Sequence, residues 1–198
     1  MGTIYYLMGK SASGKDSVFK ELKRRLPDIK EIIPYTTRPI RKNEVDGVEY
    51  HFVDDAFLDI LLEKKQVIEL RTYNTQYGIW KYFMADTGQL DLKTSSYLAI
   101  GTLDSYAAIR NYFGEGHIVP LYITVEDGLR LSRAIERERQ QINPKYTELC
   151  RRFLADTKDF SDENLRKMGI THQFINNDFE TCINEIINYI IERKYIKE

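Results

Sequence analysis

The hydrophobic residues of this chain alternate between short unbroken runs and runs spaced as on one face of a helix. Residues 4–8 form an apolar run, and residues 15–26 follow with Val18, Phe19 and Leu22 on one helical face. An unbroken run followed by a helical run predicts a buried strand with a helix packed against it. The chain therefore opens with a two-layer unit.

The same alternation continues in the second half of the chain. Apolar runs predict strands at residues 97–100, 118–125 and 174–175, and helical spacing predicts helices at residues 103–113, 126–139 and 179–194. In the last helix, the predicted inward positions are Ile183, Ile186, Ile187, Ile190 and Ile191. Strands that alternate with helices favour an α/β fold with a doubly wound parallel sheet.

Two polar segments interrupt this alternation. Residues 35–82 contain a predicted helix at residues 54–65 among many charged and aromatic residues, and residues 133–160 are rich in arginine. A hydrophobic core does not need such residues, so both segments are predicted to be substrate lobes. The expected organisation is one compact unit with a core of residues 1–34, 83–132 and 161–198, an inserted lobe of residues 35–82 and a lid of residues 133–160.

Composition narrows the class of ligand. The chain has 198 residues, with 29 basic and 30 acidic side chains and a net charge of -1. This balance argues against a broad nucleic-acid surface. Any phosphate binding must therefore be local, and a small ligand is expected. The two cysteines, Cys150 and Cys182, predict neither a metal site nor a disulfide framework. With no membrane span or signal segment predicted, a cytoplasmic monomer or homodimer is expected.

The segment between the first strand and the first helix predicts a phosphate-binding P-loop. It consists of Gly9, Lys10, Ser11, Ala12, Ser13, Gly14 and Lys15. The glycines let successive backbone N–H groups point at phosphate oxygens, and the following helix adds the positive end of its dipole. Lys15 is placed to reach the outer phosphates, which predicts ATP binding.

The residue after the P-loop lysine departs from the usual pattern. Asp16 stands where Ser or Thr normally offers a hydroxyl group to Mg²⁺. Asp16 could itself ligate the metal, because Mg²⁺ prefers oxygen donors. Alternatively, Ser17 supplies the hydroxyl and Asp16 only begins the helix, where a negative charge suits the dipole. Both residues are therefore candidate Mg²⁺ ligands.

Taken together, several motifs of this chain resemble those of guanylate kinases, and the resemblance covers nearly the whole chain. They are the P-loop, Thr36-Thr37-Arg38-Pro39-Ile40-Arg41, Gly47-Val48-Glu49-Tyr50-His51-Phe52-Val53, Glu69 after a short helix, and Tyr77-Gly78. The resemblance implies a P-loop kinase fold with an inserted mixed β/α lobe that binds the nucleoside monophosphate, and a helical lid. It also implies transfer of the γ-phosphoryl group of MgATP to GMP.

The resemblance also assigns roles to individual residues. It implies a GMP site of Arg38, Arg41, Tyr50, Glu69, Tyr77 and Thr102, in which Glu69 accepts hydrogen bonds from guanine. It implies catalytic roles for Lys15, Arg41, Arg133, Arg137 and Arg152, and it puts Asn176 or Asn177 near the adenine of ATP. The charges fit phosphoryl transfer between two polyanions, which needs fixed cations on both donor and acceptor. Without that context, such arginines are ordinarily solvated or paired on a surface.

Three residues depart from the guanylate kinase pattern. Pro34 and Ile79 stand where hydroxyl residues are usual, and Thr102 stands where an Asp normally helps to read guanine. Guanine recognition is therefore expected to be weaker, because discrimination depends on paired polar groups.

Two alternatives stay open at this point. The residues from Gly14 to Ser17 and residues 172–178 are similar to ribose 1,5-bisphosphate phosphokinase. The other alternative is a non-catalytic module with a guanylate-kinase-like fold, which the intact P-loop disfavours.

Overall fold

The computed structural model describes residues 2–42, 44–75 and 78–196. The strands are β1 (Ile4–Gly9), β2 (Lys30–Glu31), β3 (Tyr35–Thr36), β4 (His51–Phe52), β5 (Val67–Thr75), β6 (Gly78–Ala85), β7 (Tyr97–Gly101), β8 (Ile118–Thr124) and β9 (Gln173–Ile175). The helices are α1 (Lys15–Arg25), α2 (Asp55–Glu63), α3 (Leu103–Phe113), α4 (Asp127–Arg139), α5 (Tyr146–Asp159), α6 (Asp162–Lys167) and α7 (Phe179–Ile196). A short 3₁₀ turn at Glu115–His117 precedes β8.

The central strand β1 is buried on both faces, which explains its unbroken apolar run. Ile4, Tyr6 and Met8 pack on one side with residues of α3 and α6. Tyr5 and Leu7 pack on the other side with α1 and α7. Because successive side chains of a strand point to opposite faces, each face of the sheet needs its own layer of helices. The predicted α/β class with a parallel core is confirmed.

The core sheet has the strand order β2-β7-β1-β8-β9, and its recorded pairings are all parallel. In such a sheet, ligands bind beyond the carboxyl ends of the strands. The P-loop leaves the carboxyl end of β1, the middle strand, and leads directly into α1. The topology thus puts the predicted phosphate loop at the centre of the sheet edge.

A second sheet, with the order β4-β3-β6-β5, is built from the inserted segment. Its largest part is the antiparallel hairpin of β5 and β6, which pairs Arg71 with Tyr82 and has a register shift between Val67 and Glu69. Helix α2 covers the sheet with Leu58 and Leu61, which pack with the β3 and β6 residues of a small core. The second sheet extends three residues beyond the predicted lobe boundary, to residue 85.

Two details differ from the sequence-based expectation. The predicted lid boundary at residue 133 falls inside α4, which begins at Asp127 and is capped by the Glu126 side chain. In α7, Ile183, Ile186 and Ile190 are buried, but the prediction for Ile191 is wrong, because 40% of it is exposed. Ile190, the preceding residue, is fully buried, so Ile191 lies at the exposed edge of the apolar face of the helix. Among the described helices, none combines the length and apolar character that crossing a membrane requires.

Candidate active site

Two glycines of the P-loop lie so close to neighbouring residues that a side chain would collide with them. A Cβ atom at Gly9 would lie 2.5 Å from the carbonyl oxygen of Ile123, and one at Gly14 would lie 2.3 Å from Nδ2 of Asn176. Gly14 also has a φ of 88° and begins α1 without a side-chain cap. The N–H groups of the first helical turn are therefore free of capping side chains, which is the arrangement that binds phosphate.

Asn176 supports the P-loop from behind. Its side-chain amide donates a hydrogen bond of 2.7 Å to the carbonyl oxygen of Ser13, and its backbone N–H donates to Thr124 at 2.8 Å. Arg133 Nη1 in turn donates to the carbonyl oxygen of Asn176 at 3.1 Å. Asn176 is 3% exposed, so it holds the loop in shape, whereas the adjacent Asn177 is exposed.

Lys15, Asp16 and Ser17 form the first turn of α1 beside the loop. Lys15 is partly exposed and its Nζ lies 3.8 Å from Oδ2 of Asp16. Asp16 and Ser17 both face solvent, and in the described part of the chain no cluster of three or more His, Cys, Asp or Glu side chains is arranged to hold a metal ion. One carboxylate and one hydroxyl group fit Mg²⁺, which keeps several waters and takes its other ligands from phosphates.

In the second sheet, Arg38 is buried and engaged with protein partners. It donates from Nε to Tyr82 Oη at 3.1 Å, from Nη1 to the carbonyl oxygen of Pro39 at 2.8 Å, and from Nη2 to both oxygens of Glu44 at 2.7 and 2.9 Å. Glu44 also accepts from the backbone N–H of Arg41 at 2.9 Å. The hydrogen bond from Arg38 lowers the pKa of Glu44. A phosphate that binds Arg38 must therefore exchange with this carboxylate.

Arg41 and Tyr50 flank this ion pair. The Arg41 side chain is exposed, whereas Tyr50 is half-buried, 5.8 Å from the guanidinium of Arg38 and 5.6 Å from the ring of Tyr82. Burial raises the pKa of Tyr50, so its hydroxyl stays protonated and available as a donor. Of the predicted phosphate-binding set, Tyr77 lies outside the described residues.

Glu69 has a partner that sequence reasoning missed. Arg71, two residues further along β5, donates to Glu69 from Nε at 3.1 Å and from Nη2 at 3.2 Å. Residues two apart on a strand share a face, and this spacing was the only available signal for the pair. The Glu69 side chain is 7% exposed and that of Arg71 is 29% exposed. Burial opposes the charge of Arg71, but the Glu69 carboxylate outweighs it and the pKa of Arg71 is raised.

Thr102 caps the N-terminus of α3. Its hydroxyl accepts a hydrogen bond from the backbone N–H of Ser105 at 3.2 Å and lies 3.1 Å from the Ser105 hydroxyl. This is an N-cap, so the position favours a small oxygen-bearing side chain whether or not it binds a ligand. Pro34 and Ile79, the other two departures, carry no side-chain donor, and Ile79 is 60% exposed.

Two of the predicted lid arginines converge on the P-loop. Arg137 and Arg152 line a small cavity together with Ser11, Leu149 and Phe153. Arg152 Nε is buried without a hydrogen-bond partner among the described residues. Its nearest carboxylate is that of Glu148, at 3.7 Å from Nε, so this cationic group beside the loop keeps a donor for an anionic ligand. The structure thus brings these residues of α4 and α5 to the loop, while Arg133 lies at its back.

A buried ion cluster, also missed from the sequence, ties α5 to the P-loop. Asp156 Oδ2 accepts a hydrogen bond of 2.7 Å from the backbone N–H of Ser11 and lies 3.6 Å from Arg130 Nη1. Arg130 is 1% exposed, donates from Nε to Asp127 at 3.0 Å, and stacks 3.8 Å from the ring centre of Phe153. The lid segment is therefore anchored on the loop by a charged hydrogen bond.

Comparison with known proteins identifies relatives of the N-terminal part. Residues 1–82 match the family model described as guanylate kinase. Guanylate kinase of Thermobifida fusca is 45% identical over 73 residues, which are 36% of this chain and 37% of that protein. Guanylate kinase of Chromohalobacter salexigens is 37% identical over 78 residues, which are 39% and 36% of the two chains. The aligned segments thus span little more than a third of these relatives.

The structural similarity covers much more of the chain than the sequence match does. The crystal structure of guanylate kinase from Anaplasma phagocytophilum superimposes with a TM-score of 0.65 at 22% identity, covering 97% of this chain and 86% of that one. The resemblance to guanylate kinases is confirmed, in sequence over the first 82 residues and in fold over nearly the whole chain. These matches support neither the sugar-phosphate kinase nor the non-catalytic module.

Proposed function

We propose that this protein is a guanylate kinase, which transfers the γ-phosphoryl group of ATP to GMP and gives ADP and GDP. The observation that carries the proposal is the intact P-loop, in which Gly9 and Gly14 leave room where any Cβ atom would collide and Lys15 stands at the start of α1. The family match over residues 1–82, which include this loop and most of the second sheet, supports GMP as the acceptor.

In the proposed mechanism, the two sheets hold the two substrates. The N–H groups at the start of α1 and the Lys15 side chain bind the phosphates of ATP, with Asn177 exposed nearby and Asn176 bracing the loop. Arg38, Arg41 and Tyr50 hold the phosphate of GMP. This requires Arg38 to exchange Glu44 for the phosphate, a like-for-like replacement of one anion by another.

Transfer itself is direct and in line. The acceptor oxygen of GMP is already anionic, so it needs positioning more than deprotonation and no covalent enzyme intermediate is required. Lys15, Arg137 and Arg152 neutralise the charge that spreads over the transferring group, and Arg133 acts through Asn176 on the shape of the loop. Closure of the lid segment over the loop excludes water and suppresses ATP hydrolysis.

The P-loop terminus fits Mg²⁺ as the accompanying cofactor. Asp16 and Ser17 would hold the ion together with phosphate oxygens, and the bound ion would supply additional positive charge at the phosphates. The two cysteines of the chain are free thiols, which is compatible with the proposed cytoplasmic location, where thiols stay reduced. We also propose that the enzyme acts on small nucleotides as a monomer or a homodimer.

The test is a panel of acceptors. Purified protein with MgATP is given GMP, dGMP, AMP, UMP, CMP or ribose 1,5-bisphosphate, and ADP release is recorded, with Lys15→Met as the inactive control. GMP-dependent release that the Lys15→Met variant lacks supports the proposal. Release only with ribose 1,5-bisphosphate, or equal rates in both proteins, contradicts it.

A further inference from the structure

The part of the proposed acceptor site that is expected to contact the base contains an ion pair. Glu69 and Arg71 share one face of β5, and Arg71 Nε and Nη2 both donate to the Glu69 carboxylate. The cross-strand neighbour of Arg71 is Tyr82, whose hydroxyl accepts from Arg38 of the phosphate-binding set. The pair therefore continues the surface formed by the groups proposed to hold the acceptor phosphate.

The strand that carries the ion pair packs close to the end of β7. Ile68 of β5 packs against the core cluster that contains Tyr6, and the buried hydroxyl of Tyr6 occupies the space beside Gly101, where a Cβ atom would lie 2.1 Å from it. Gly101 directly precedes Thr102 at the start of α3. β5 thus lies next to the carboxyl end of β7, the edge of the sheet at which ligands bind, and the acceptor base is expected there.

One nitrogen of the Arg71 guanidinium group is available to donate a hydrogen bond to a ligand. Its Nε and Nη2 are directed at Glu69, and Nη1 donates no hydrogen bond to the described residues. The Arg71 side chain is partly exposed, so a ligand can reach it. Glu69 likewise keeps lone pairs, because each carboxylate oxygen accepts two hydrogen bonds and Arg71 uses one on each.

We propose that Arg71 is a specificity-determining residue that donates to the O6 atom of guanine while Glu69 accepts from N1–H and the 2-amino group. This rests on the proposed function. The Watson–Crick edge of guanine presents one acceptor followed by two donors, and an arginine beside a carboxylate presents the complementary order. In protein–DNA complexes, arginine commonly donates to guanine O6 together with N7.

The three positions that depart from the guanylate kinase pattern add no free donor for the base. Pro34 and Ile79 have apolar side chains, and the hydroxyl group of Thr102 is engaged with Ser105 at the start of α3. Arg71 therefore supplies a donor that these positions lack. A single charged hydrogen bond to a base atom corresponds to a change of about 10- to 100-fold in selectivity.

The experiment changes one atom of the substrate. In 6-thio-GMP a sulfur atom, which is a weak acceptor, replaces O6, whereas IMP keeps O6 and lacks the 2-amino group. We expect the Arg71→Met variant to lower the ratio of kcat/KM for GMP over 6-thio-GMP by about 10- to 100-fold, and to change the GMP-to-IMP ratio much less. Glu69→Gln should show the reverse pattern. Arg71→Lys, which keeps one charged donor, should recover part of the 6-thio discrimination.

The controls separate this inference from folding and from the proposed function. Arg24→Met removes an arginine that also pairs with a glutamate through two hydrogen bonds, but on the exposed side of α1, and should leave both ratios unchanged. Arg71→Met leaves the buried carboxylate of Glu69 without its partner and can therefore lower stability. Circular dichroism and thermal melting of this variant show whether it is folded. The Glu69→Gln/Arg71→Met double variant removes the unpaired charge as well.

Each outcome decides one of the two claims. If the folded Arg71→Met protein keeps its 6-thio discrimination, or works faster on GMP, the role of Arg71 is refuted while the kinase proposal stands. If the wild type binds GMP by calorimetry but does not phosphorylate it, dissociation constants for the same nucleotides replace kcat/KM. If the folded wild type neither binds nor phosphorylates GMP, both proposals fail.

Discussion

The anchor between α5 and the P-loop makes a quantitative prediction about stability. Asp156 accepts from the backbone N–H of Ser11 at 2.7 Å and lies 3.6 Å from the fully buried guanidinium of Arg130. Replacing Asp156 with Ala removes the charged hydrogen bond and leaves Arg130 with one carboxylate partner, Asp127. Asp156→Asn keeps an oxygen that can accept from Ser11 but removes the negative charge.

The magnitude follows from burial. Removing one member of a fully buried ion pair costs about 3–5 kcal/mol, and a hydrogen bond to a charged group is worth about 1.5–3 kcal/mol. Because 19% of the Asp156 side chain is exposed and Asp127 still faces Arg130, the estimate for Asp156→Ala is about 3 kcal/mol, and for Asp156→Asn about half of that. For a protein of this size, about 3 kcal/mol lowers Tm by about 10 °C.

Thermal unfolding followed by circular dichroism at neutral pH measures both variants. The matched control is Asp159→Ala, which removes an exposed carboxylate from the same helix and should not lower Tm. The effect should persist at high salt, because a buried pair is little screened. A Tm of Asp156→Ala that equals that of the wild type, or an Asp156→Asn variant that is less stable than Asp156→Ala, would show that the cluster does not anchor α5.

Three further predictions concern single groups. Lys15→Met should lower kcat for GMP phosphorylation by about 100- to 1000-fold with an unchanged circular dichroism spectrum, and a rate near that of the wild type would remove Lys15 from the mechanism. Burial raises the pKa of the Cys182 thiol to about 12, so an alkylating reagent at mildly alkaline pH should modify only the exposed Cys150. Mass spectrometry of peptides from the folded protein measures this, and modification of Cys182 would contradict the prediction. The pKa of Glu44 is lowered in the folded state, so its contribution to stability is complete above the unfolded value of about 4.3 and is lost as pH falls below it. Glu44→Gln should therefore weaken the acid dependence of Tm in that range, and a profile parallel to that of the wild type would contradict this.

Most of the fold could be predicted from local sequence patterns. The unbroken apolar run at the start of the chain requires a strand that is covered on both faces, which implies a parallel sheet between two helical layers. The P-loop could be located for a similar reason, because its glycines, its lysine and its flanking elements are neighbours in the chain. The exposure of Ile191 could not be predicted, since helical spacing defines a face but not how far around the helix the buried part of that face extends.

The ionic partners of the site were beyond the reach of sequence reasoning. Ser11 and Asp156 are 145 residues apart, so only the folded chain shows that a carboxylate of α5 reaches the loop. Arg71 is close to Glu69 in sequence, but a pair two residues apart is significant only where both side chains face a binding surface. The tertiary fold decides which face that is, and here it is the face continuous with Arg38.

A common electrostatic design links the three ionic clusters. Arg38 is paired with Glu44, Arg71 with Glu69, and Arg130 with Asp127 and Asp156. A site for two polyanionic nucleotides needs many cations, and unpaired cations at close range would repel one another and lower stability. Carboxylates from the same segments balance them, which agrees with a net charge of only -1 for the whole chain. Under the proposed function, substrate binding in the acceptor lobe is an exchange at Glu44, where phosphate replaces a carboxylate, and an addition at Glu69, where the base joins an existing pair. Mutations at Glu44 should therefore change mainly the affinity for the acceptor phosphate, and mutations at Arg71 mainly the choice of base.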